Sequence, residues 1–420
     1  MTHKEIHTFT IEHKIVFFYL IFRVFAVSIY PSILDIKADS YLFDLVFLYF
    51  FLIANFHPYK FLNLRFNVKN YTEKFLIITI FFVIFSTFYI NIENNLNIQA
   101  IGRVTIYLFQ FYILYFFLAK ELNDDKNLFE KFLNGILIFC TISSIFSLLS
   151  LHFGYNSEGR KFVSSVGFFL SPNTTSFVYT FAFPILSYKY LIRKISLLPF
   201  ILLLVLFLYC LLFTYSRAGF VGCLTTILIL TFFHSKRYFI ITLALLIITT
   251  SSLFLDILLL KSDSSLSRSL LTLTAVGLIT HDVNTLLWGY GTSYATKIFE
   301  DQKSLYGNFE LNVSTPHNFI LLFILQYGII TLLPFLFFLI NLIFRGIRIR
   351  SIINDDQRKK GIELSVSIIL GLIAQNLFED VFVMPEFPVM PLVLVFLGYL
   401  YYNLVKKSTK NLKLFKTSYG

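Results

Sequence analysis

"STPHNFILLFILQYGIITLLPFLFFLI", residues 314–340, sets Pro316, His317 and Asn318 in front of a nearly continuous apolar run. A hydrocarbon core of about 30 Å takes about 20 apolar residues to cross in helix, and the run from Phe319 onward supplies them. It lacks the alternation of a barrel strand, so its backbone must be satisfied within a helix. The stretch reads as a membrane span with a histidine and an amide at its lip. Similar runs recur along all 420 residues, of which 57% are hydrophobic and 14% charged. With a mean hydropathy of +0.74, a soluble domain is excluded.

Spans are expected at about 15–30, 41–56, 75–90, 101–119, 132–151, 174–192, 195–213, 216–233, 237–260, 317–344, 361–377 and 388–405. These make an all-α, polytopic bundle of about twelve transmembrane helices, a single domain over 1–420. The run at 15–30 has no small-residue cleavage site behind it and is expected to remain as the first span. The net charge of +11 is spread over short loops, which is a topology signal facing anionic lipid rather than a nucleic-acid surface. Most of the 35 Lys and Arg fall on the side of both termini, so that side is expected to be cytoplasmic. Only one loop is long, residues 261–316 on the opposite side, and its first half has the apolar spacing of an interfacial helix. Cys140, Cys210 and Cys223 lie within apolar runs without metal-ligand spacing and read as core residues.

Ionisable groups in or beside lipid are costly, so those on the outer side call for a reason. Arg217, in "LLFTYSRAGFVG", either snorkels to the headgroups or meets a ligand; the small and polar neighbours Thr214, Ser216 and Gly219 favour a ligand. His317 and Asn318, behind Pro316, are expected in the first turn of their helix. There an imidazole can take a proton from a hydroxyl, or the pair can serve as interfacial residues and cap. Arg268 and Arg160 are loop cations whose forked guanidiniums suit phosphate oxygens. Trp288, Tyr290 and Tyr294 either stack on sugars or belong to an aromatic belt. Glu379, Asp380 and Glu386 could orient the histidine or stand as loop charges, and Arg23 with Asp44 reads as a structural pair.

The ordered set "SPN" (171–173), "TYSRAGF" (214–220), "SR" (267–268), "WGYG" (288–291) and "PHNFILLFILQYGI" (316–329) resembles the bacterial O-antigen polymerase and O-antigen ligase family of integral membrane glycosyltransferases. The resemblance covers roughly residues 155–345, with a weaker echo at "FED". It implies a bacterial inner-membrane enzyme that transfers glycan at the periplasmic face from an undecaprenyl-pyrophosphate-linked donor. No nucleotide sugar, cofactor or metal is implied. By the same resemblance His317 is the base and Arg217 and Arg268 hold the pyrophosphate. Arg160, Asn173, Ser216, Asn318 and Asp380 are the expected substrate-binding residues. A polymerase acting on a lipid-linked repeat unit is expected, with a chain-length regulator as a further partner. The alternatives are a ligase acting on lipid A-core and, less in keeping with polar residues gathered at one face, a flippase.

Overall fold

The computed structural model describes residues 71–93, 98–153, 172–240, 242–244, 262–303, 315–379 and 390–417. Its named elements are all helical: α1 (Tyr71–Glu93), α2 (Ile98–Gln110), a π-helix (Phe111–Leu118), α3 (Ala119–Asp124), α4 (Lys126–His152), α5 (Pro172–Leu191), α6 (Leu197–Thr214), α7 (Arg217–His234), α8 (Ser262–His281), α9 (Val283–Trp288), α10 (Thr292–Lys303), α11 (Phe319–Arg350), α12 (Asp356–Asn376) and α13 (Met390–Thr417). Six described helices are long and apolar enough to cross a membrane: α1, the stretch Val104–Asp124, α4, α6, α7 and α11. The expected spans at 15–30 and 41–56, the Arg23 and Asp44 pair, and most of 237–260 lie outside the described residues. Residues 262–303 of the expected loop form three helices rather than one.

Neither α5 nor α12 is among the six, and packing shows why they can carry polar residues: both are buried along most of their length. Gln375 of α12 donates to Ser176 (3.0 Å) and accepts from Thr180 (2.6 Å), both on α5. Helix α7 presses into the same place through small residues. A Cβ on Gly222 would stand 2.7 Å from Gln375 Oε1, and one on Gly371 would stand 2.1 Å from Thr226 Oγ1 and 2.8 Å from the Gly222 carbonyl. Contacts this close between backbones are how helices gain packing energy in lipid, where the hydrophobic effect gives none.

The helix ends sort into two groups. At one, Glu130 of α4 pairs with the buried Lys189 of α5 and accepts from Tyr188 (2.7 Å) and Gln357 (3.2 Å). Arg350 of α11 pairs there with Glu363 and reaches the Phe233 carbonyl, while Arg358 joins Asn123 (2.9 Å) and Asn403. At the other end stand the turn between α6 and α7, the helices α8 to α10, the start of α11 and the end of α12.

The opening stretch is not one straight span. Helix α11 breaks at Gly328, whose φ of 75° and ψ of 171° are non-helical. The carbonyls this strands find partners in the "WGYG" turn, where Tyr290 N donates to Leu325 O (2.6 Å) and Gly291 N to Gln326 O (3.0 Å). Backbone meets backbone so closely that a Cβ on Gly328 would lie 1.9 Å from the Leu287 carbonyl oxygen. Trp288 is locked from the far side: its carbonyl accepts from Ser86 (3.0 Å) and its ring packs on Phe82, Phe85 and Tyr89 of α1. Non-helical backbone at membrane depth persists only where protein satisfies it in this way.

Gly328→Ala is therefore expected to cost well over the roughly 1–3 kcal/mol of strain that a side chain meets at this glycine-only φ and ψ, seen as a large drop in the thermal midpoint of the detergent-solubilised protein. Gly135→Ala, in α4 with nothing within 4 Å of the added carbon, is expected to be neutral or to stabilise by up to about 1 kcal/mol.

Candidate functional site

Three separate elements meet at one carboxylate. Glu379 follows the end of α12, Arg268 lies in α8, and His317 immediately precedes α11. Arg268 Nη2 donates to Glu379 Oε1 at 3.1 Å and Nη1 to the Phe378 carbonyl at 3.3 Å. His317 Nδ1 lies 3.2 Å from Glu379 Oε2. The Glu379 side chain is 6% exposed, against 32% for Arg268 and 26% for His317. The acid is thus covered while the two groups that it holds still reach outward.

Asn318 builds the frame. Its Oδ1 caps α11 by accepting from Ile320 N (3.0 Å) and Leu321 N (3.2 Å), and its Nδ2 donates to the Leu377 carbonyl (3.0 Å). The expectation that His317 and Asn318 occupy the first helical turn is corrected by one step: the helix starts at Phe319, Asn318 is the cap, and His317 stands before it. His317 adopts φ 51°, a left-handed conformation rare for a residue with a side chain. The lock of Asn318 and Glu379 on the 377–379 segment is what holds it there.

His317 Nδ1 faces the carboxylate, so in its neutral form the ring would carry its proton on Nδ1 and have Nε2 as its basic nitrogen. Burial by itself raises the Glu379 carboxyl, but the hydrogen bond and charge of His317, followed by those of Arg268, outweigh it and hold the acid below its ordinary range.

Arg217 is the first residue of α7. The chain reaches it by turning sharply at Tyr215, also left-handed with φ 50°, and Ser216 then caps the helix by accepting from Gly219 N (3.2 Å). Arg217 thus stands at the same end of the bundle as Arg268 and His317. Ser216 is buried and its hydroxyl also accepts from Ser176 (3.2 Å), which gives this expected substrate-binding residue a capping role. Asn173 sits at the start of α5 beside the same contact: its carbonyl accepts from Ser176 (2.6 Å), and its buried Oδ1 has no hydrogen-bond partner. Arg160 and Asp380, the remaining expected contacts, lie outside the described residues, as does Glu386.

The structure thus gathers His317, Arg268 and Asn318 on the 377–379 segment, with Arg217 at the same end of the bundle. His281 stands thirteen residues along α8 from Arg268, roughly 20 Å away at helical rise, and takes no part. Trp288 and Tyr290 serve the fold: Trp288 packs on α1, and Tyr290 donates to the Leu278 carbonyl (3.4 Å) within a small core formed with α8 and α10. Tyr294 is exposed. What sequence reasoning missed is the contribution of the Leu377 and Phe378 carbonyls, since backbone acceptors carry no residue signature. Among the described residues no three His, Cys, Asp or Glu side chains are grouped as for a metal ion. Compared with protein-family models, curated proteins and solved structures, the chain matches none.

Because the folded Glu379 acid is held below its unfolded value, its contribution to stability is present above the ordinary carboxylate range, near pH 4.3, and is lost as pH falls through the folded value. Glu379→Gln is expected to lower the thermal midpoint at pH 7 and to flatten the acid limb of the midpoint-versus-pH curve. An unchanged acid limb in the variant would show that the carboxylate is not held by charge.

Proposed function

We propose that the chain is a membrane glycosyltransferase of the O-antigen polymerase kind. In this reading a glycan is moved from an undecaprenyl-pyrophosphate donor onto a lipid-linked repeat unit. The observation that carries it is the His317 imidazole and the Arg268 guanidinium sharing the buried Glu379 carboxylate, with Arg217 at the same end of the bundle. Base, anion holders and orienting acid are then all present at one end of a membrane bundle. We take that end, opposite loops rich in Lys and Arg, as the periplasmic side of an inner membrane with both termini cytoplasmic, a reading in keeping with the positive-inside rule.

In the proposed reaction His317 Nε2 takes the proton of an acceptor hydroxyl as its oxygen attacks the anomeric carbon. The bond from that carbon to the pyrophosphate oxygen breaks, and its electron pair leaves with the diphosphate. Arg217 and Arg268 stabilise the charge that builds there. Displacement in line inverts the anomeric centre. Glu379 stays ionised, fixes the ring and favours the imidazolium that forms. Arg268 divides its donors between Glu379 and the leaving group, so it couples anion binding to the orientation of the base.

Deleting the gene in its host and inspecting the lipopolysaccharide tests the reading. Core carrying a single repeat supports a polymerase, bare core with accumulated polymeric lipid-linked glycan means a ligase, and unaltered pools discard both. His317→Ala is expected to leave the protein inserted and abundant while transfer falls by about 10²–10⁴-fold. Arg217→Lys, which keeps the charge but loses the fork, should fall less than Arg217→Ala; equal activity of either variant with the wild type removes that residue from the mechanism.

A further inference from the structure

A second buried carboxylate lies near the opposite end of the bundle. Glu73, in the first turn of α1, is 1% exposed. Its Oε1 accepts from the Tyr401 hydroxyl at 2.7 Å, but its Oε2 is buried with no hydrogen-bond partner. Among the described residues no Lys or Arg pairs with it. The Tyr115 hydroxyl is also buried without a hydrogen-bond partner, and its ring stands 5.4 Å from that of Tyr401, the residue that donates to Glu73.

Tyr115 belongs to the π-helix, a widened turn that often marks a functional position in an otherwise regular helix. The widening is held from outside: a Cβ on Gly398 of α13 would stand 2.2 Å from the Tyr115 carbonyl oxygen, and the Tyr115 and Tyr401 rings are 5.4 Å apart. Two polar atoms left open around the same tyrosine, Tyr401, in an apolar core are rare, and each calls for a partner. An ionised carboxylate so placed is retained only with a counter-charge. A single carboxylate balances a single positive charge, and carboxylate and phenol oxygens are hard ligands suited to hard cations.

We propose that Glu73 Oε2 and the Tyr115 hydroxyl are two ligands of a monovalent alkali-cation site between α1, the π-helix and α13. The cation supplies the charge that the core lacks, and it ties α1, which clasps the "WGYG" turn, to α13. The inference stands apart from the glycan-transfer reading and is tested on the full-length protein in detergent. Thermal unfolding is followed by the fluorescence of the single tryptophan, Trp288, in sodium chloride, potassium chloride and choline chloride at equal ionic strength and at several pH values. A midpoint several degrees higher in sodium or potassium than in choline is expected. That response should vanish in Glu73→Gln, and Tyr115→Phe, which keeps the ring packing, should raise the half-saturating salt about tenfold. Equal midpoints in the three salts overturn the site, as does a dependence on pH alone, which would mean that Glu73 is simply protonated.

Discussion

A carboxylate covered by protein and held between an imidazole and a guanidinium is the constraint on which this end of the molecule depends. Such a group is stable only while both neighbours stay in place, since removing either leaves charge stranded in a low dielectric. Glu379 therefore joins three elements that are far apart in the chain. Helix α12 delivers it, α8 delivers Arg268, and the cap of α11 delivers His317. Helix α12 can act as the fixed point because α5 and α7 clamp it, through Gln375 and through the contact of Gly371 with Gly222 and Thr226. The same clamp sets the height of α7, and with it the position of Arg217.

The break in α11 solves a related problem. A straight helix from Phe319 would carry His317 away along a single axis. Interrupting it at Gly328 lets Phe319–Tyr327 lie at its own angle, with the stranded carbonyls satisfied by the backbone of Tyr290 and Gly291. Those two residues belong to the segment that also carries Arg268. The turn that repairs the helix thus fixes the arginine helix and the histidine helix to one another, and Trp288 ties both to α1. Rigid support of this kind is what a transfer reaction needs, because reacting groups misplaced by 1 Å lose much of their effect.

Much of this was legible in the sequence, and the limits have physical causes. Helical spans at 75–90, 132–151, 195–213 and 216–233 follow from apolar length alone, and α1, α4, α6 and α7 occupy them. Helices α5 and α12 were legible as helices, but their polar residues make sense only once their neighbours are seen. Arg217, Arg268 and His317 stand out because charge and imidazole beside lipid are expensive. Glu379 reads as one of three acids able to orient the histidine, and nothing local separates it from Asp380 or Glu386; its contact with His317 appears only once the end of α12 is seen. The two readings of Asn318 were also incomplete, since it caps α11 and braces the 377–379 segment at once. Gly289 and Gly291 read as a turn, whereas their partner, the break at Gly328, lies in a stretch that looks from composition like an ordinary span.

The union of acid and base at Glu379 is tested most directly by a double-mutant cycle on glycan transfer in proteoliposomes, with His317→Ala, Glu379→Gln and the pair compared with the wild type. If the carboxylate works through the imidazole, each single variant loses activity and the double variant loses no more than His317→Ala alone. Losses that multiply would mean that the two residues act independently, and the shared carboxylate would then have no part in the chemistry.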